Sequence, residues 1–177
     1  MNNNISHIKN EQGERIENQT GIESEFLNYF KQAHQEPNID RLPAMDSILT
    51  NIPRLISEEN NQLLLRPVDL QEVEEALHQL KVGKAPGPDG FTSNFFHHFW
   101  DLIKLEVWKV VEESRSLRWM YPGLNATFIA LILKEAEPNT PDKYRPIALC
   151  NIIYKIVSKV ITSRLKLLLP LIILPEK

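Results

Sequence analysis

Ala126-Thr-Phe-Ile-Ala-Leu-Ile-Leu133 is an unbroken apolar run of strand length, and Lys134 closes it. Pro138, Asn139, Thr140 and Pro141 then supply turn chemistry, and Tyr144-Arg-Pro-Ile-Ala-Leu149 reads as a second strand, so the pair predicts a hairpin. Downstream, Ile153, Ile156, Val157, Val160, Ile161 and Leu165 recur at helical spacing and predict an amphipathic helix over 152–169. Lys155, Lys159, Arg164 and Lys166 fall largely off that apolar stripe. Upstream, Phe95, Phe96, Phe99 and Trp100, followed by Ile103, Val107 and Val111, predict one long or two consecutive buried helices ending near 116. The fold class that follows is α+β, mostly helical, with a small antiparallel hairpin or sheet between helices 92–116 and 152–169.

The remaining segments are shorter. Alternating residues around Glu11-Gln-Gly-Glu14 predict a hairpin about Gly13. Thr20-Gly-Ile-Glu23 matches a capping box and predicts a helix over 21–35. With Pro37, Pro43 and Pro53, residues 36–56 read as a loop-like connection holding at most one short turn. A short helix over 57–65 stops at Pro67. Asp69, with Glu72 three residues on, caps a helix over 70–80 whose stripe is Leu70, Val73, Leu77 and Leu80, with Gly83 as its stop signal. Lys84-Ala-Pro-Gly-Pro-Asp-Gly90 contains two prolines that remove donors and two glycines that favour turns, so it is a shaped loop.

With 177 residues, 42% hydrophobic and 24% charged, the chain excludes a large multidomain enzyme and wholesale disorder. Its single cysteine, Cys150, forms no internal bridge and reads as a small buried hydrophobe. Net charge is −3, but residues 1–80 balance at −8 and residues 81–177 at +5, so a polyanion would meet the second half. The polar start and a longest apolar tract broken by Lys166 and Pro170 give neither a signal peptide nor a membrane span, and a cytoplasmic or nuclear protein is expected.

Few residues are placed for chemistry. His97 and His98 lie about 100° apart on a helix and share no obvious further metal ligand. Gly83-Lys84 lacks both the first glycine and the Ser/Thr of a phosphate-binding loop. The aspartates of the basic half, Asp89, Asp101 and Asp142, are scattered, and no Asp-Asp pair exists to hold two divalent metals. Lys134 and Arg145 fall near one end of the predicted hairpin, where a point charge and a planar fork suit a triphosphate or a nucleic-acid backbone. On spacing alone, solvated hairpin-tip charges are the better account of them.

Taken together, Lys84 to Phe91, Phe99-Trp100, Thr127 to Lys134, Lys143 to Asn151 and Ile153 to Val160 resemble, in order and spacing, the reverse transcriptases of LINE-type retrotransposons lacking long terminal repeats, plant ones especially. The resemblance covers 66–177, while the helix carrying Glu25-Phe-Leu-Asn-Tyr-Phe30 looks like the family's connector between endonuclease and polymerase. It implies an N-terminal extension over 1–65 and a partial fingers subdomain of a right-hand polymerase over 66–177. In the family, the positions matching Lys134 and Arg145 help to bind nucleotide phosphates. Lys84, Pro86, Gly87, Pro88, Asp89 and Gly90 carry over as a fingers loop. The usual proline before the lysine is Leu133 here, which restores a backbone donor.

The family's palm aspartates are not in this sequence, so the resemblance implies a piece of a longer RNA-directed DNA polymerase that does not catalyse by itself and binds no cofactor. The full-length parent would use Mg2+ or Mn2+, an RNA template, a DNA primer and deoxynucleotides. The apolar tract Leu167 to Leu174 lacks an evident covering element, in keeping with absent palm and thumb. A non-enzymatic nucleic-acid-binding module, a helical interaction protein and a decayed element product remain alternatives.

Overall fold

Gly13 adopts φ +81°, a left-handed value open to glycine. There the chain reverses, pairing β1 (Ile8–Lys9) antiparallel with β2 (Arg15–Ile16), Ile8 opposite Ile16. The computed structural model describes residues 5–35, 41–50 and 53–173. Helix α1 spans Gln19–His34. Its cap is Asn18, whose Oδ1 accepts from Gly21 N at 2.6 Å, rather than the expected Thr20. Asparagine accepts this bond readily, and the helix therefore starts two residues early.

Helix α2 (Leu42–Leu49) corrects the loop expected over 36–56. Pro43 sits in its first turn, where a missing N–H breaks no helical bond; residues 36–40 and 51–52 lie outside the described residues. Helix α3 (Glu58–Leu65) is capped by Ser57, and α4 (Leu70–His78) by a full Asp69–Glu72 capping box. The aromatic segment forms two helices, α5 (Ser93–His98) and α6 (Trp100–Leu117), followed by α7 (Pro122–Asn125). Strands β3 (Thr127–Leu133) and β4 (Tyr144–Cys150) pair antiparallel in a separate two-stranded sheet, joined through a 3₁₀ turn at Pro141–Lys143. Helix α8 (Ile152–Ile172) runs past Pro170 because the proline falls in its last turn and removes a single bond. The fold is thus α+β and mostly helical, as expected.

The chain divides into two compact units, Met1–Ile48 with Ile129–Ile147, and Leu49–Phe128 with Ala148–Lys177. In the first, Ile8, Ile22, Phe26 and Tyr144 form the core, with Leu131 and Phe30 against them. Phe26 and Tyr144 meet edge to face, with ring centroids 5.0 Å apart. In the second, α4, α6 and α8 pack on one another. Val73, Leu77, Phe96, Trp100, Val111, Ile156 and Val160 make up most of that core. Each fully buried aliphatic side chain contributes about 1.5–3 kcal/mol.

A polar anchor passes through this second core. Arg164, expected off the apolar stripe, is buried. Its Nε donates to Glu72 Oε1 at 2.8 Å and its Nη2 to Glu72 Oε2 at 2.7 Å. Its remaining N–H groups donate to the carbonyls of Leu64, Arg66 and Pro67. Arg115 Nη1 donates to the Leu65 carbonyl, and Trp108 Nε1 to that of Val68. Consecutive carbonyls at the end of α3 and beyond, which helix geometry leaves without partners, are thereby satisfied by side chains of α6 and α8. Arg164 beside it holds the Glu72 carboxyl well down, at about 2.

Of the apolar tract at the end of α8, Leu168 is buried while Leu167, Leu169, Leu171, Ile172 and Ile173 are exposed; Leu174 lies outside the described residues. Cys150 is half-buried rather than buried, its Sγ 3.4 Å from Thr127 Oγ1. Among the described residues no helix is long and apolar enough to cross a membrane.

Candidate nucleic-acid interface

Lys134 N–H donates to the Lys143 carbonyl at 2.9 Å, which sets these residues opposite one another across the β3–β4 hairpin. Side chains alternate along a strand, so Arg145, two residues past Lys143, projects from the same face as Lys134. The other face carries Leu131 and Tyr144 and packs on the first unit's core. Lys134 and Arg145 are thus diagonal neighbours on the outward face, a separation of about 7–8 Å between backbones in such pairs.

Their environments differ. Lys134 Nζ donates to the Asp142 carbonyl at 2.5 Å, which ties it to the turn. Lys143 lies 3.4 Å from Glu135. Arg145 is exposed, and among the described residues no carboxylate pairs with it. Glu135, Glu137 and Asp142 balance the three cations, so the tip carries no formal net charge. The available group is therefore a local one, the Arg145 fork beside a fixed lysine. Leu133, one residue from the bonded pair, turns its N–H to the outer edge, so replacing proline there adds no bond to β4.

The loop Lys84 to Gly90 belongs to the other unit. Gly87 is buried against the start of α8: a Cβ there would meet the Cys150 carbonyl carbon at 2.6 Å, and Asn151 N and Oδ1 as well. Pro88 and Asp89 then occupy a turn closed by Gly90 N–H donating to the Gly87 carbonyl at 3.1 Å. Asp89 Oδ1 accepts from Phe91 N at 3.0 Å. Pro86 and Pro88 are half-buried, whereas Lys84, Asp89 and Gly90 are exposed.

Asn151 organises this loop, a role its sequence position does not announce. Preceding α8 it reads as a helix cap, yet its side chain makes no cap bond. Fully buried, it accepts from Asp89 N at 3.2 Å and donates to the Gly123 and Leu124 carbonyls. One amide thereby joins the loop, α7 and α8. Ser93 adds a second tie, its Oγ donating to the Lys81 carbonyl.

No family model matches the chain. Over 134 residues, 76% of its length, it is 30% identical to an uncharacterized 149 kDa protein of transposon TX1 from Xenopus laevis. The chain is similar to a transposon protein. It spans 10% of that relative's length. The similarity supports a transposon-derived chain.

Among the described residues no three His, Cys, Asp or Glu side chains gather where they could hold a metal ion. His78 and His97 stack, with ring centroids 5.6 Å apart and planes 12° from parallel, rather than converging on a point. The residues described do not fit the Mg2+ or Mn2+ that the resemblance implies for a longer parent.

Proposed function

We propose that this chain forms the fingers portion of an RNA-directed DNA polymerase of a LINE-type retrotransposon. In this reading Lys134 and Arg145 contact phosphates of the incoming deoxynucleotide or of the template strand. The observation that carries it is the shared outward face, where a lysine pinned by Asp142 stands beside an arginine with no acidic partner among the described residues. A guanidinium fork takes two phosphate oxygens at once, and a neighbouring ammonium adds charge without needing a fixed direction. The identity with a transposon protein is consistent with the reading. RNA template, DNA primer and deoxynucleotides are the partners it implies.

Fluorescence anisotropy with a labelled RNA–DNA primer–template, measured across salt concentrations, tests it. Wild-type affinity should fall with salt. Lys134→Ala with Arg145→Ala should weaken binding and reduce the slope by about 1–2, since each cation removed leaves one phosphate without its neutralising charge. Equal affinity and slope for wild type and double variant would refute the assignment. With no Asp-Asp pair in its sequence, the chain should give no primer extension with Mg2+ or Mn2+.

A further inference from the structure

The first unit contains a cleft of about 430 Å³, within the range of small-ligand sites. Its wall is one face of α1, where Glu25, Asn28, Tyr29 and Gln32 recur at i, i+3, i+4 and i+7. That face is separate from the Ile22 and Phe26 stripe that enters the core. The opposite walls are the β1–β2 turn, with Lys9 and Glu11, and the 3₁₀ turn, with Asp142. A bond from Lys9 N to the Asn139 carbonyl, 2.6 Å, ties those two walls together.

The chemistry of the lining is selective. Glu11, Glu25 and Asp142 outnumber Lys9, so the cleft repels phosphate. Asp142 is partly engaged by Thr140 Oγ1 at 2.5 Å. By contrast, among the described residues no side-chain hydrogen bond engages Glu25, Asn28 or Gln32, nor the Tyr29 hydroxyl. The lining therefore combines acceptor-only carboxylates, a half-buried aromatic ring and four amides, of which Asn10 is already bonded to Glu14. A carboxylate is matched by a flat ligand with adjacent N–H donors. Among nucleobases guanine presents N1–H and N2–H side by side, whereas uracil flanks one N–H with two carbonyls that would face the carboxylates. The same 3₁₀ turn supplies Asp142 to the cleft and its carbonyl to Lys134, so a base here would lie next to the phosphate-binding face.

We propose that this cleft receives an unpaired guanine base of single-stranded RNA, with Glu25 accepting from its N–H edge, Asn28 and Gln32 beside it, and Tyr29 against its ring. The inference rests on the phosphate-binding reading of Lys134 and Arg145, and adds a base preference which that reading lacks.

The test compares anisotropy titrations of a short labelled oligouridylate with the same RNA carrying one central guanosine, or inosine, which lacks the N2 amino group. The guanosine RNA should bind about tenfold more tightly than the oligouridylate, with inosine between them. Glu25→Gln should abolish the preference while retaining oligouridylate binding. Lys134→Ala with Arg145→Ala should weaken both RNAs by the same factor and keep their ratio. Equal binding of the three RNAs by wild type, or an unchanged preference in Glu25→Gln, overturns the cleft assignment and leaves the phosphate reading standing. A preserved guanosine preference with no loss of affinity in the Lys134/Arg145 variant overturns the phosphate reading instead.

Discussion

Replacing Glu72 by glutamine isolates the charge of the buried anchor, since glutamine also suits the capping-box position beside Asp69. Arg164 holds the Glu72 carboxyl down from 4.5 to about 2. At about 1.36 kcal/mol per unit, that displacement corresponds to about 3 kcal/mol. The side chain is 17% exposed, and solvent screening trims the contribution to about 2–3 kcal/mol. The folded-state value is the depressed one. The contribution is therefore fully present above the unfolded carboxyl's 4.5 and is lost as pH falls through about 2.

Trp100, Trp108 and Trp119 all belong to the unit that contains this pair, so urea unfolding followed by tryptophan fluorescence reads its stability. At neutral pH Glu72→Gln should be less stable than wild type by about 2–3 kcal/mol, and the gap should close as pH approaches about 2. A gap that stays constant with pH, or no gap at pH 7, would refute the reasoning. Arg164→Met is the harsher companion. It removes the two-bond partner of the carboxylate, which keeps only Arg66 at 3.2 Å and the Asp69 N–H, and it leaves the carbonyls of Leu64, Arg66 and Pro67 without that donor, at a cost of about 3–5 kcal/mol.

Gly87→Ala should destabilise the second unit by about 1–3 kcal/mol in the same unfolding assay, because the added methyl meets the backbone of Cys150 and Asn151 together with the Asn151 side chain, which its hydrogen bonds hold in place. Asn151→Ala leaves Asp89 N–H and two carbonyls without partners; a destabilisation of about 3 kcal/mol is expected, with faster hydrogen exchange at Asp89. Arg118 ends α6 at φ 53°, a left-handed conformation that favours glycine, so Arg118→Gly should raise stability by about 1 kcal/mol, seen as a higher Tm.

Local rules decided much of this protein in advance. The Asp69–Glu72 box, Ser57, the β1–β2 turn at Gly13 and the apolar periods of α4, α6 and α8 are interactions between residues a few positions apart, so spacing alone exposes them. Where neighbours compete for one local role, spacing is a weaker guide. Asn18 displaced Thr20 as the cap of α1, and Pro43 began α2 rather than preventing it.

The candidate site was legible as residues but not as a surface. Lys134 and Arg145 could be named from the ends of two strands, yet their shared face depends on register, and one residue of slip would have turned Arg145 toward the core. Arg164 and Asn151 were hidden for a related reason: their partners come from α3, α4, α7 and the Lys84 to Gly90 loop, far away in the chain. The sequence by itself determined where helices and turns form and which charges stand near a hairpin tip, because those follow from short-range periodicity and backbone preference. Only the tertiary structure decided which polar side chains are buried anchors and which remain available to a ligand, because desolvation and hydrogen-bond satisfaction are settled by neighbours that only folding brings together.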